Sequence, residues 1–309
     1  MRNSMQKFTM LRFISLLFIS NTVFAYGPGD LDNDGEITIL DLTTTISIIL
    51  DELVEPTEYQ LFAADPNFDD AIDILDLVQM VTAVQGLIPL PQYPERVLFV
   101  GNSYTAYNGG IDVLLTNLVE STHPGLSLTA QRQAPGGSSF ESHWNNLTTR
   151  QLITFGSWDI VVLQEQSTRP ISDPELMYEY GTLLDSIIIG SSAQTVFFMT
   201  WARSFDPEMI EGLSEAYSYL GILLEAAVAP VGLAWAEIVE NNPDINLYTG
   251  DGSHPNSYGT YLTGCVFYSL IYQRSPEGLE YSNNVEMTAA EQSLLQRTAW
   301  EIVDDYVEW

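Results

Sequence analysis

The chain has 309 residues, 46% of them hydrophobic, and sets ten Lys plus Arg against 41 Asp plus Glu, a formal charge of −31. Such a length buries one large core or two smaller ones. The charge excludes nucleic acid and anionic membrane surfaces as partners. The lone cysteine, Cys265, excludes an internal disulfide, and in the apolar run LTGCVFYSLI it reads as a buried, inert thiol.

Residues 1–25 read as a secretory signal, with Arg2, Lys7 and Arg12 as the positive flank, Leu11 to Phe18 as the apolar run and Val23-Phe24-Ala25 as the cleavage site. That run is too short to span a bilayer, and no later segment reaches roughly 18 apolar residues. The mature chain is expected to start near Tyr26, to be exported to the extracellular space or periplasm, and to hold no membrane span.

Between Tyr26 and Pro94 stand ten Asp and four Glu and no Lys or Arg. The stretch GLIPLPQYPER, Gly86 to Arg96, favours an extended connector because prolines crowd it. The boundaries expected are a first domain over 26–86, a Pro-rich linker over 87–95 and a second domain over 96–309.

The first domain repeats itself. DLDNDGEITILDL at Asp30 recurs as DPNFDDAIDILDL at Asp65. Oxygen-bearing side chains fall at loop positions 1, 3, 5, 9 and 12: Asp30, Asp32, Asp34, Thr38 and Asp41, then Asp65, Asn67, Asp69, Asp73 and Asp76. Position 7 offers the carbonyl of Glu36 or Ala71, and position 8 an apolar pin, Ile37 or Ile72. Calcium takes about six to eight hard oxygen ligands, and a loop of about twelve residues with this spacing wraps one ion. The segments LTTTISIIL and LVQMVTAVQ read as exit helices. On these residues the segment resembles a type I dockerin, a paired calcium-loop module of EF-hand type that attaches secreted enzymes to cohesin partners. The resemblance implies two structural calcium sites and a cohesin-like partner. It departs at position 6, where Gly35 is matched by Asp70, and at positions 10 and 11, where Ile39-Leu40 and Ile74-Leu75 replace polar partner-contacting residues. Those apolar pairs suit another partner or packing on the second domain.

In the second domain, buried strands are expected at 96–101, 126–130, 159–164, 195–200 and 231–236. Helices are expected at 110–121, 139–153, 173–190, 207–228, 257–274 and 288–307. This alternation predicts a three-layer α/β/α sandwich around a parallel five-stranded sheet, with ligands beyond the carboxyl ends of the strands. Ser103 follows strand one in FVGNSYT, and Asp251 and His254 share one turn in DGSHP. A serine needs a base, and the base an orienting carboxylate, before it attacks an acyl carbon. Oxyanion donors are available in the Ser103 N–H, in Gly136 or Gly137 of QAPGGSSF, and in the amide of Gln164 or Gln166. His143 and His123 read as structural and exposed. Trp201, Arg203 and Trp235 line a cleft or pack the core.

These blocks resemble an SGNH (GDSL-type) hydrolase over roughly 96–275, with a flavodoxin-like sheet. FVGNSYT is similar to its first block with Asn102 for the usual aspartate, PGGSS to its glycine block, and DGSHPNSYG to its Asp-x-x-His block. QEQSTR stands where Gly-x-Asn-Asp is usual and resembles the version in sialate O-acetylesterase-like and acetylxylan-esterase-like branches. The resemblance implies Ser103, Asp251 and His254 as catalytic residues and Ser103, Gly137 and Gln164 as the oxyanion hole. It implies no catalytic cofactor, and a substrate of acylated, chiefly acetylated, carbohydrate or another small ester. The alternatives are a lipolytic or aryl esterase, and a non-catalytic, calcium-dependent glycan-binding protein.

Overall fold

A computed structural model describes residues 27–53, 55–67, 71–87, 90, 93–122, 128–280 and 286–307. The expected signal peptide, Asp69, Asp70, His123 and residues 88, 89, 91 and 92 of the Pro-rich linker lie outside the described residues.

Three helices come first, α1 (Ile39–Ile49), α2 (Glu58–Ala63) and α3 (Ile74–Val84). α1 and α3 start alike because loop positions 9 and 12 double as a capping box. Thr38 and Asp73 accept the Leu40 and Leu75 N–H, while Asp41 and Asp76 accept the Thr38 and Asp73 N–H. The inner faces meet over Leu42 and Met80, and Ile37 and Ile72 pack onto the same small core. The next residues in each repeat point outward: Ile39 is 67% exposed, Leu40 60%, Ile74 60% and Leu75 57%. Of the two uses open to these apolar pairs, packing on the second domain is therefore not realised. A different surface makes that contact. Phe62 packs on Tyr93 at 5.7 Å, Tyr93 on Tyr272 at 5.3 Å, and Arg274 pairs with Asp65 at 3.3 Å.

The second body opens with β1 (Arg96–Val100), the short α4 (Ser103–Ala106), a 3₁₀ turn (Tyr107–Gly109), α5 (Ile111–Thr122) and β2 (Thr129–Gln133). Then come α6 (Phe140–Asn145), α7 (Leu147–Phe155), β3 (Ile160–Leu163), α8 (Arg169–Ser172), α9 (Pro174–Gly190) and β4 (Gln194–Phe198). It ends with α10 (Met209–Leu224), β5 (Ala227–Ala229), α11 (Val231–Asn241), α12 (Ser257–Tyr272) and α13 (Ala289–Val307). The five strands are parallel in the order β2-β1-β3-β4-β5. Side chains alternate across the sheet. Val97, Phe99 and Val162 face the core under α5, α11, α12 and α13, whereas Leu98, Val100 and Val161 face the core under α7, α9 and α10. This is the expected three-layer α/β/α sandwich. Its strand order reverses direction between β1 and β3, which puts a crevice at their carboxyl ends.

Three boundaries differ from the sequence expectation. VGLAWA, expected as strand five, opens α11, and β5 is the preceding AVA. A short apolar run fits a buried strand or a buried helix equally well; Pro230, the residue before α11, stops the strand and starts the helix. The helix expected over 139–153 is two, because Asn146 stays extended and its side chain caps α7 through the Thr148 and Thr149 N–H. β2 lies at 129–133 rather than 126–130, with Thr129 in register with Arg96. No helix among the described residues is long and apolar enough to cross a membrane.

Candidate active site

β1 delivers the chain to Gly101, where a Cβ would stand 2.4 Å from Thr105 Oγ1 and 2.7 Å from Gln164 Oε1, so only glycine fits. Asn102 caps α4 by accepting the Tyr104 N–H at 3.1 Å. Its backbone N–H donates to Gln164 Oε1 at 3.0 Å and its amide to the Ser138 carbonyl at 2.9 Å. An aspartate would lack that second donor, so Asn102 ties the Ser103 turn directly to the glycine loop.

The turn before α12 carries Asp251 and His254. Thr249 N–H donates to the His254 carbonyl at 2.9 Å, Gly252 takes φ +69°, and Asn256 caps α12 through the Gly259 N–H at 3.1 Å. Within this turn Asp251 Oδ1 accepts the Ser253 and His254 N–H at 2.8 and 2.9 Å and the Thr249 hydroxyl at 2.9 Å. Asp251 Oδ2 accepts the His254 Nδ1–H at 2.5 Å. The bonds from His254, first through its side chain and then through its backbone, hold the Asp251 carboxyl well below the usual carboxylate range. With Nδ1 protonated, Nε2 is an acceptor, and it stands 2.9 Å from Ser103 Oγ. Serine, imidazole and carboxylate thus form one hydrogen-bonded chain, the arrangement that activates a hydroxyl for attack on an acyl carbon.

The donors around Ser103 divide into used and available. The N–H groups of Ser103 and Gly137 make no hydrogen bond among the described residues, and Gly137 sits at φ +72° on an exposed turn. Gln164 does not meet its expectation as a donor. Its side chain is fully buried, its Oε1 accepts from Asn102 N–H and Thr105 Oγ1, and its amide turns to the Glu165 carbonyl. A group with no accessible surface braces the Ser103 turn and is out of reach of a substrate. Gln166 is the contrasting case. It is half-buried, its Oε1 is fixed by Thr168 N–H, Thr168 Oγ1 and Arg169 N–H at 2.9, 3.0 and 3.1 Å, and its amide has no partner among the described residues.

Between the two glutamines lies a residue that sequence reasoning passed over. Glu165 is fully buried, and its carboxylate accepts Phe140 N–H at 3.2 Å and Gln166 N–H at 2.5 Å, which clamps the glycine loop to the loop after β3. Burial pushes its pKa up to about 7, against the lowering effect of those N–H groups. The sequence signal was present in VVLQEQ, where an acid follows a run of buried strand residues.

His143 is buried as a post: its Nε2–H donates to the Gly101 carbonyl at 2.8 Å, and burial lowers its pKa. Trp201 and Trp235 are core residues stacked at 4.0 Å, and Arg203 reaches Ser167 Oγ at 3.4 Å. In the N-terminal module, ligand oxygens of Asp30, Asp32 and Asp41 come within 4.8 Å of one another. Gly35 takes φ +89°, and its N–H and that of Asp34 donate to Asp30 at 2.9 and 3.1 Å. These hard oxygens fit a calcium ion. In the second loop Asp65 and Asp76 are buried, and Asn67, Ala71 and Asp73 are described without Asp69 between them.

Comparison with known proteins agrees with both halves of the chain. Residues 28–84 match the dockerin type I domain. The second body shares its fold with a DUF4886 family protein from Bacteroides uniformis, at 17% identity and a TM-score of 0.56, over 69% of this chain and 96% of that one. A putative SGNH hydrolase from Slackia heliotrinireducens aligns at 24% identity and a TM-score of 0.49, over 56% of this chain and 96% of that one. No curated protein matches the chain.

The Glu165 carboxyl has a measurable signature. Its ordinary pKa is 4.5 and its folded value about 7, so between those limits the folded chain keeps a proton that the unfolded chain has released. The stability it contributes is complete below pH 4.5 and declines as pH rises to about 7. Denaturant unfolding of Glu165→Gln at pH 5, 6 and 7 is expected to remove a slope of roughly 1 kcal/mol per pH unit that the wild type shows. Parallel profiles for the two proteins would contradict it.

Proposed function

We propose that the protein is an exported serine esterase that removes acyl groups, chiefly acetyl, from carbohydrate. The observation that carries this reading is the contact of His254 with Ser103 Oγ at 2.9 Å on one side and with Asp251 at 2.5 Å on the other. Ser103 Oγ attacks the ester carbonyl as its proton passes to His254 Nε2, and Asp251 stabilises the imidazolium. The Ser103 and Gly137 N–H groups and the Gln166 amide receive the negative charge that develops on the carbonyl oxygen. His254 then gives its proton to the departing sugar hydroxyl, and water, deprotonated by the same imidazole, releases the acid.

The sugar and acyl preferences rest on the resemblance of QEQSTR and on the openness of the site. The His254 and Asp251 side chains are 27% and 48% exposed, accessible to a polymer chain. Phe205, 68% exposed, flanks the Asp251–His254 turn, and an aromatic face suits a sugar ring.

The N-terminal module is the attachment device, delivered outside the cell by the signal over 1–25. The carboxylates of Asp30, Asp32, Asp34 and Asp41, the Glu36 carbonyl and the Thr38 position would hold one calcium. Asp65, Asn67, Asp69, Ala71, Asp73 and Asp76 would hold a second, and the ion stiffens each loop. A cohesin-like protein is the partner this module suits, with the exposed pairs Ile39-Leu40 and Ile74-Leu75 as an apolar contact in place of a polar one.

Ser103→Ala is expected to lower the hydrolysis of p-nitrophenyl acetate by at least about 1,000-fold with an unchanged unfolding midpoint; retained activity would refute the nucleophile. An acyl-length series in the wild type should peak at acetyl, and a preference beyond butyryl would move the protein to the lipolytic class. Calorimetric titration should detect calcium binding between roughly micromolar and millimolar, weakened at one site by Asp41→Ala. Absence of heat in that range would remove the calcium assignment.

A further inference from the structure

The triad has an unusual weakness. The Asp251 side chain is 48% exposed and that of His254 27%, so water competes for the bond that orients the imidazole. An imidazole oriented from one side by so exposed a carboxylate turns about its side-chain torsions when water takes that bond, and each turn breaks the 2.9 Å contact with Ser103. Something else must fix the ring.

We infer that Tyr107 is a positioning residue for His254, the exposed half of an aromatic vise whose buried half is Tyr104. The inference rests on the Ser103 esterase reading. Tyr107 stacks on the imidazole with centroids 4.6 Å apart and planes 21° from parallel. Tyr104 meets the same ring edge-on at 5.5 Å and 74°. Face and edge contacts of this kind each have a preferred geometry, so together they define both the plane and the position of the ring they enclose.

The Tyr104 side is rigid. Tyr104 is buried, its hydroxyl lies 2.6 Å from Ser253 Oγ, and its ring stacks on Trp201 at 4.5 Å and 4°. Trp201 in turn stacks on Trp235 at 4.0 Å and 3°, and its Nε1–H donates to the Ser253 carbonyl at 2.9 Å. This column joins the residue before His254 to the core.

The Tyr107 side is placed by the backbone. Asn108 takes a left-handed conformation, φ 50° and ψ 37°, which few residues but asparagine adopt at low cost. Its amide donates to the Pro255 carbonyl at 3.0 Å and to Thr260 Oγ1 at 2.8 Å, on either side of the start of α12. The 3₁₀ turn is thereby fastened to the residue that follows His254. Core packing does not require an aromatic ring at a position 37% exposed, and its contact with the imidazole accounts for it.

Restricting the imidazole raises the fraction of molecules poised for proton transfer without adding a contact to substrate. The test compares Tyr107→Ala and Tyr107→Phe with the wild type on p-nitrophenyl acetate, a substrate too small to depend on distant walls. Tyr107→Ala is expected to lower kcat roughly 10- to 100-fold while KM stays within about twofold, and Tyr107→Phe, which keeps the ring, to retain most of the wild-type kcat. If Tyr107→Ala does not fold, Tyr107→Leu replaces it, with bulk but no aromatic face and the same expected loss. An unchanged kcat, a raised KM with kcat intact, or a Phe variant as impaired as the Ala variant would overturn the inference. If the wild type is no more active than Ser103→Ala, the esterase reading itself fails, an outcome separable from all of these.

Discussion

The contact between Ser103 Oγ and His254 Nε2 joins residues 151 positions apart in the chain, and most of the second body can be understood as what holds its two ends together. One end depends on the parallel register of β1 and β3, which sets Val100 beside Leu163 and lets Gln164 Oε1 reach back to the Asn102 N–H. The other depends on α12, whose cap at Asn256 and tight seat at Gly259 fix where the Asp251–His254 turn ends. A Cβ on Gly259 would come within 2.5 Å of both Trp235 and the Leu247 carbonyl. The sheet and the helical layer are built separately, and the site exists only where they meet.

Buried polar residues do the joining. Asn102, Gln164, Glu165 and His143 have almost no surface, and each links a strand end to a neighbouring loop. Unsatisfied, such groups are costly inside a protein; satisfied, they define one arrangement of loops in a way that apolar contacts do not. Ser103, Asp251 and His254, by contrast, are partly exposed. The interior is polar for precision of placement, and the surface is left open for a substrate.

How much of this was legible in the sequence depended on the kind of signal. Ser103, Asp251 and His254 were legible because each sits in a short turn whose composition admits few conformations. The sheet was legible where apolar runs were bounded on both sides, as in RVLFVG and DIVVLQ. VGLAWA was not, because its pattern suits a buried strand and a buried helix alike, and only the position of Pro230 in three dimensions separates them. Gln164 and Gln166 are two residues apart and so alike in chemistry that spacing gives no preference. Both lie past the end of β3, where strand alternation no longer sorts side chains, and the loop buries Gln164 while leaving Gln166 half-buried at its rim. Tyr107 was passed over for a different reason: nothing local announces that a ring four residues past Ser103 will lie on an imidazole from the far end of the fold. In the N-terminal module the paired loops were plain from their repeat. Which way Ile39, Leu40, Ile74 and Leu75 face followed only from the packing of α1 on α3 and from the separate Phe62–Tyr93–Tyr272 seam.

The central claim is that His254, held by Asp251, makes Ser103 a nucleophile. The most direct measurement is reaction of the intact protein with a fluorophosphonate, which forms a serine–phosphorus bond and expels fluoride only at an activated hydroxyl, followed by mass-spectrometric location of the adduct. The account expects one adduct, on Ser103, and its loss in His254→Ala. A protein that stays unlabelled, or one labelled elsewhere while Ser103 remains free, would contradict it.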